Sequence, residues 1–339
     1  SNGCLEPTNF VLKTRGSAVN MMLRFILVGF LFFVSDSAYT QDGLPKLITI
    51  KAGDNQALIN AINTANADTA AGTYYIDVET GPNGETGFEF TGAYDATNNA
   101  LPTITRSITI RNFLDNNKTQ NVTFTGSGNR DFRLLNVEGG RFELWDATIQ
   151  DFGVNGESGG AILATGNTFL ECRRCRFENN GSDLNGGAIA CNANTQLWVT
   201  RSELVGNRSS NLGGAISVEG NCDALIGTGD SKYGNVFRDN TAGVFGCDLN
   251  VQTSNDVRLA GNLFDSANCQ NVLVENPYGR MIARYNTFVH AGNGIDSTGV
   301  AQLLGNIFLG PSSVNQLYSL SPAPSKQQAA CHDFGSGAF

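Results

Sequence analysis

The chain has 339 residues, a net charge of −9, 40 glycines and only 16% charged residues. A nucleic-acid surface needs clustered Lys and Arg, so the acidic balance argues against nucleic acid as a partner. The abundance of glycine and phenylalanine favours one elongated repeat body over ordinary globular domains.

The N-terminal region has the layout of an export signal. Met21, Met22 and Arg24 precede an apolar run over 25–34, and small residues follow it, as in a secretory signal peptide. The run is too short for a stable transmembrane helix, which needs about 20 apolar residues. We interpret 1–20 as an upstream leader and 21–37 as the signal peptide. The mature chain is then expected to be secreted, in the extracellular space or at the cell surface, without stable membrane insertion.

A strand and a capping helix are predicted next. Residues 47–51 have the composition of a strand, and Asp54 is placed to cap a helix over 54–66. Its apolar stripe comprises Ala57, Leu58, Ala61, Ile62 and Ala65. The helix is expected to cover the open first coil of a solenoid. Further strands are predicted at 74–78, 88–91, 104–111 and 121–125.

The middle of the chain repeats itself. The string GGAI recurs at 159–162, 186–189 and 213–216, every 27 residues, and glycine pairs suit a tight corner. Later rows keep N-x-F, beginning at Asn262, Asn286 and Asn306. We predict that each Phe stacks inside the coil and each Asn bonds the backbone of a neighbouring coil. The predicted fold is an all-β, right-handed parallel β-helix over 38–310, followed by an irregular tail or cap over 311–339.

These motifs carry a resemblance to known families. The strings ALINAINTANA, ALPTITRSITIR, NVTFTG and FELWDATI, followed by the GGAI rows, resemble secreted bacterial β-helix proteins of the CSLREA type, although no CSLREA-like string precedes the helix. The pairing of GGAI with F-x-x-N, at Phe177 to Asn180, is also similar to the passenger repeats of chlamydial polymorphic outer membrane proteins. The resemblance covers 47–309. It implies a right-handed β-helix at the cell surface, acting in adhesion or as an envelope component, and it supplies no catalytic residue.

Cysteine spacing suggests disulfides. Cys247 and Cys269 begin the similar strings CDLNVQ and CQNVLVE, which predicts a bond between consecutive coils. The C-x-x-C of Cys172 and Cys175 has no second pair to complete a zinc site, so a disulfide is expected there instead. The pairing of Cys172, Cys175, Cys191, Cys222 and Cys331 stays open. Candidate glycosylation acceptors in N-x-S/T triplets are Asn117, Asn121, Asn180 and Asn207.

No catalytic series stands out, and no metal or cofactor is expected. One acidic cluster could hold a metal ion for an elimination reaction, with arginines nearby in the sequence as candidate bases. It comprises Asp131, Glu143, Asp146, Asp151 and Glu157, near Arg130, Arg133 and Arg141. The favoured interpretation of these residues is a solvated charged face. Sugar-stacking platforms are an alternative to core or scattered surface positions for Trp145, Trp198, Tyr233, Tyr278 and Tyr285.

The sequence therefore favours a non-enzymatic structural or adhesive surface protein. The alternative is a polysaccharide lyase or glycoside hydrolase that acts on an acidic polysaccharide. Surface glycans and a second copy, bound end to end in an extracellular filament, are the candidate partners. The tail over 311–339 either folds back over the last coil or adds a strand to a neighbouring subunit.

Overall fold

The structure is a computed structural model that describes residues 44–70, 72–113, 121–129, 131–228, 234–267, 270–274, 279–289, 293–297 and 300–309. The predicted leader (1–20), signal peptide (21–37) and C-terminal tail (311–339) lie outside the described residues, so these boundaries stay predictions. No helix in the described ranges is long and apolar enough to cross a membrane.

Thirty strands form four sheets in which every described pairing of neighbouring strands is parallel. Sheet 1 contains β1 Lys46–Lys51, β2 Tyr74–Glu79, β4 Ile108–Asn112, β7 Gly140–Trp145, β11 Thr168–Arg173, β15 Gln196–Thr200, β19 Asp223–Gly227, β23 Val257–Ala260, β26 Arg280–Arg284 and β29 Val300–Leu304. Sheet 2 contains β3 Gly87–Glu89, β5 Val122–Thr125, β8 Ala147–Gln150, β12 Arg176–Glu178, β16 Glu203–Val205, β20 Val236–Arg238, β24 Leu263–Asp265, β27 Thr287–Val289 and β30 Ile307–Leu309.

Two smaller sheets complete the coils. Sheet 3 contains β6 Leu135–Val137, β10 Ile162–Ala164, β14 Ile189–Cys191, β18 Ile216–Gly220, β22 Leu249–Thr253, β25 Gln270–Val274 and β28 Asn293–Ser297. Sheet 4 contains β9 Gly153–Val154, β13 Gly181–Ser182, β17 Arg208–Ser209 and β21 Thr241–Ala242. A complete coil passes through sheets 1, 2, 4 and 3 before the chain returns to sheet 1, one strand further along. The predicted parallel β-helix is confirmed.

The predicted capping helix is present as α1, Asn55–Ala67. The side chain of Asp54 accepts a hydrogen bond from the backbone N–H of Ala57 at 2.8 Å, which satisfies a donor that a helix N-terminus leaves free. Leu58, Ala61, Ile62 and Ala65 of the predicted stripe are buried in the same core as the first strands.

The GGAI motif forms the corner that leads into sheet 3. The first glycine of each copy has a positive φ of 65° to 73°, a backbone conformation that residues with a side chain rarely adopt. The second glycine is required for a different reason, because a Cβ on Gly160 or Gly187 would collide with the carbonyl oxygen of the matching glycine one coil later. The motif therefore recurs where successive coils touch through their backbones.

The interior is filled by columns of apolar side chains, one residue from each coil. In sheet 2 the column runs through Phe88, Phe124, Ile149, Phe177, Leu204, Phe237, Phe264, Phe288 and Phe308. The last four rings stack with centroids 4.7 to 4.8 Å apart. This spacing equals the strand separation in a sheet, about 4.8 Å, so the rings follow the backbone repeat. The predicted phenylalanine stack is confirmed.

Asparagines occupy the corners between sheets. The first asparagine ladder, between sheets 1 and 2, consists of Asn235, Asn262, Asn286 and Asn306, all buried. Each of the first three donates its backbone N–H and its Nδ2 to the Oδ1 of the next, at 2.9 to 3.1 Å. Each Nδ2 also donates to a carbonyl of the preceding coil, as Asn262 does to Ile226. The predicted backbone role of these asparagines is confirmed.

Candidate functional site

The outward surface of sheet 1 carries a cluster of aromatic rings and charged side chains. Successive side chains of strands β7, β11 and β15 point alternately into the core and out to the surface. Phe142, Leu170 and Leu197 point into the core, and the residues on either side of each point outward. The register aligns Glu143 with Glu171 and Trp198 in one outward row, and Trp145 with Arg173 in the next. We call the set Arg141, Glu143, Trp145, Glu171, Arg173 and Trp198 the aromatic–arginine face.

Rings and guanidinium groups pack against each other on this face. Phe169 lies in the same outward row as Arg141, with the Arg141 guanidinium 3.7 Å from its ring centroid and the Trp198 ring edge-on at 5.0 Å. Arg173 lies 5.7 Å from the centroid of Trp145. The Trp198 side chain stays 38% exposed. The face therefore offers an accessible indole that its neighbours hold in place.

Two carboxylates stand on adjacent coils between these rings. Arg141 donates through Nε to Glu143 and places Nη2 3.6 Å from Oε2 of Glu171. Burial, together with the nearby charge of Glu143, raises the pKa of Glu171 above its usual range. At the adjoining corner, Arg174 pairs with Asp146 through two hydrogen bonds, one of them 2.7 Å long.

Within the described residues, no carboxylate pairs with Arg173, and Nε1 of Trp145 has no hydrogen-bond partner. The three arginines at 141, 173 and 174 balance the three acids Glu143, Asp146 and Glu171. The face is therefore polar and close to neutral, with donors and acceptors side by side.

The acidic cluster considered from the sequence divides between different surfaces. Glu143 and Asp146 belong to the face and its corner, whereas Glu157 pairs with the buried Arg133 elsewhere on the coil. Asp151 lies at the corner after sheet 2, where burial and the charge of Glu178 raise its pKa. Asp131 is exposed, and Arg130 lies outside the described residues. In the described ranges no three His, Cys, Asp or Glu residues converge to hold a metal ion.

Two of the candidate glycosylation acceptors have an interior role. Asn180 and Asn207 are 1% and 0% exposed and form, with Asn240, a second asparagine ladder between sheets 2 and 4. Their Nδ2 atoms, to which a glycan would attach, donate to the carbonyls of Ile149 and Phe177 and to the next ladder oxygen. In the folded chain both are structural residues, and their glycosylation stays a prediction.

For the other two acceptors the prediction stays open. Asn121 is half-buried, and its Nδ2 lies 3.5 Å from Thr148 Oγ1. Asn117 lies outside the described residues.

The cysteines correct the sequence interpretation in two places. Cys172 and Cys175, expected to form a disulfide, are free and buried, because Cys172 takes the core position between Leu144 and Val199 and Cys175 donates its thiol to the Leu144 carbonyl. Their mutual hydrogen bond and burial raise the pKa of Cys172 well above its ordinary value. The structure instead bonds Cys191 to Cys222, whose pairing the sequence left open.

The register also corrects the basis of the predicted Cys247–Cys269 bond. Strands β22 and β25 pair Leu249 with Val272, an offset of 23 residues, whereas the alignment of Cys247 with Cys269 assumes an offset of 22. Cys247 is disulfide-bonded, and Cys269 lies outside the described residues. The pairing stays a prediction.

A buried carboxylate that sequence reasoning missed ends the second ladder. Asp248 stands where earlier coils have Ala188 and Ala215, and it is fully buried. Its oxygens accept hydrogen bonds from Asn240 Nδ2, Ser266 Oγ and Asn271 Nδ2 at 2.6 to 2.9 Å. Burial raises the pKa of Asp248 to about 6 despite these donors. The sequence feature that could have revealed this residue is an aspartate at the position that alanine occupies in the GGAI copies.

Comparison with known protein families supports the repeat assignment for one segment of the chain. Residues 174–192 match the Chlamydia polymorphic membrane protein (PMP) repeat. The matched segment contains Phe177, Asn180 and the second GGAI copy, so it spans one corner of the second ladder and one close backbone contact. No curated protein matches the chain.

Proposed function

We propose that this chain is a non-enzymatic scaffold of a cell surface or its surroundings, whose β-helix supports an adhesive face. The matched PMP repeat comes from a family described as membrane proteins of Chlamydia, which supports a surface location for this chain. The sequence resemblance to secreted β-helix proteins of the CSLREA type is the basis for proposing export. Localisation at the surface and secretion are parts of this proposal.

The observation that carries the proposal is the pairing of acids with arginines on the aromatic–arginine face. Glu143 is bonded to Arg141, and Asp146 to Arg174. Each guanidinium fixes the position of the carboxylate that it binds and occupies its oxygens. These side chains suit fixed recognition better than proton transfer.

One feature favours the enzymatic alternative. Glu171 has a raised pKa and stands one coil from Glu143, and glycoside hydrolysis uses a pair of carboxyl groups. We therefore test turnover directly, by incubating the purified protein with polygalacturonate, alginate and neutral glucans and measuring new reducing ends and unsaturated products.

We expect no turnover of any of these polymers. Turnover that is lost in Glu171→Gln, but kept in the exposed control Glu203→Gln, would replace the scaffold with an enzyme. Adhesion is tested separately, by comparing the attachment of protein-coated and uncoated beads to glycan-bearing cell surfaces. Equal attachment of both bead types would contradict the proposed adhesive function.

End-to-end assembly into a filament is a further part of the proposal. Strands β28, β29 and β30 are each the last strand of their sheets in the described residues, and Ile307 and Leu309 are more than 40% exposed. A sheet edge of this kind accepts another strand. Light scattering at high concentration and electron microscopy of native material should detect filaments, and a strictly monomeric protein would end this part of the proposal.

A further inference from the structure

The aromatic–arginine face has the chemistry of a binding site for one class of ligand. Because the face belongs to the proposed adhesive surface, the inference rests on the proposed function and names its partner. We infer that this face binds a neutral oligosaccharide, lying along the axis on which the coils stack.

The first argument is the placement of the rings. Trp145 and Trp198 lie on strands β7 and β15, two coils or about 10 Å apart along the stacking axis, and in neighbouring outward rows. Glu171 and Arg173 of the intervening strand β11 separate them. Apolar faces of sugar rings can stack on indoles, and polar groups between the rings can meet their hydroxyls.

The second argument is the mixture of donors and acceptors. A hydroxyl both donates and accepts, so a polyol is satisfied where guanidinium and carboxylate groups alternate at close range. Arg141 bridges Glu143 and Glu171, and Arg173 pairs with no carboxylate in the described part of the chain. The half-exposed Arg141 and the partly exposed Glu171 are available to a ligand, whereas the Glu143 side chain is buried beside them.

Charge balance selects a neutral ligand. Three arginines and three acids share the face and its corner, so an acidic sugar would gain from Arg173 and lose against Glu143 and Glu171. A protein partner fits less well, because protein interfaces have a contiguous apolar centre and here charged groups separate the rings.

The pattern extends towards the N-terminal end of sheet 1. Arg111 is the register neighbour of Trp145, it forms two hydrogen bonds with Asp77 at 2.7 and 3.0 Å, and it lies 4.3 Å from the ring centroid of Tyr75. Ring, guanidinium and carboxylate thus recur on the same surface. A ligand of several sugar units parallel to the axis would contact both sets.

Intrinsic fluorescence provides a label-free test, because the chain has 2 tryptophans and both lie on the face. The purified protein is titrated with chitohexaose, maltohexaose and mannohexaose, and with hexagalacturonate as the acidic comparison. We expect saturable changes with at least one neutral probe. Trp198→Ala should raise its Kd at least tenfold, and Arg173→Gln should raise it by a smaller factor.

The matched control is Phe245→Ala, which removes an exposed ring outside sheet 1 and should leave Kd unchanged. Circular dichroism and the urea midpoint confirm that each variant is folded. The inference is overturned if none of the three neutral probes binds, if hexagalacturonate alone binds, or if Trp198→Ala and Phe245→Ala have equal effects.

The outcomes separate this inference from the proposed function. Adhesion that persists in Trp198→Ala would leave the adhesive scaffold standing and remove the glycan site. Cleavage of a bound oligosaccharide would contradict the non-enzymatic function and leave the binding face intact.

Discussion

The coils that carry GGAI and the coils that follow them build the same interior from different sequences. In the GGAI coils, Asn180 bonds to a residue 27 positions later in the second ladder. In the later coils, successive members of the first ladder are 27, 24 and 20 residues apart, and a coil of 33 residues separates Asn207 from Asn240. The hydrogen bonds keep the same atoms and nearly the same lengths throughout.

This difference shows which residues determine the register. The ladder asparagines and the stacked rings hold corresponding positions in every later coil, so changes in coil length are taken up by the segments between them. The GGAI copies depend in addition on a backbone contact that only glycine permits. The coil from Asn207 to Asn240 contains the third GGAI copy and still has 33 residues, so the glycine corner does not fix coil length, and constant register is a property of the ladders.

The largest expected effect is the loss of a ladder residue in the later coils. Asn262→Ala removes the acceptor of two Asn235 donors and the donor to the Ile226 carbonyl, all of them buried. Each unsatisfied buried group costs about 1–3 kcal/mol, so we expect a loss of about 4 kcal/mol in the free energy of unfolding. Urea denaturation measures it.

The control for this change is Asn221→Ala, at an exposed asparagine that bonds to Asn194 across coils. It should cost less than about 0.5 kcal/mol. Equal losses in the two variants would mean that the ladder does not hold the register.

The second prediction concerns the glycine corner. Gly187→Ala places a Cβ against the carbonyl of Gly214 and should cost about 3 kcal/mol, because backbone atoms on both coils must move. Gly156→Ala is the matched control, since its Cβ would meet nothing within 4 Å and only its positive φ of 70° is strained. It should cost about 1 kcal/mol. Thermal unfolding that ranks the two in the opposite order would contradict the contact.

The third prediction concerns the dependence of stability on pH. In the coil that follows the last GGAI copy, Asp248 stands at the position of the GGAI alanine. A carboxyl of pKa about 6 in the folded state binds more protons than the unfolded chain, whose Asp has a pKa near 3.9. The contribution of Asp248 to the free energy of unfolding is therefore fully present below about pH 4, and it is lost as the pH rises through about 6. The expected loss is roughly 3 kcal/mol at neutral pH.

Asp248→Asn removes the titrating carboxyl and should flatten this dependence, as measured by urea midpoints from pH 4 to 8. The exposed Asp239→Asn, next to the same ladder, is the control and should keep the wild-type profile. An unchanged profile in Asp248→Asn would assign the pH dependence to other groups.

Local patterns predicted several features because they depend on short segments. Asp54 and the apolar stripe predicted α1 to within one residue at each end, since capping and helical periodicity are local. The N-x-F rows predicted both a ladder and a ring stack. The Cys247 alignment failed by one position, because similar letters near a glycine corner do not show where the extra residue of a coil is accommodated.

The sequence by itself determined the solenoid, its capping helix and its interior columns, since each follows from a spacing repeated along the chain. Only the tertiary structure decided which polar residues are structural and which are available. Asn180 and Asn207 match glycan acceptor triplets but complete a buried ladder, and Cys172 and Cys175 are core residues. Trp145 and Trp198 share one face because parallel register brings distant segments to adjacent strands. A residue's environment in a β-helix depends on the coils before and after it, about two dozen residues away, and no local pattern contains that information.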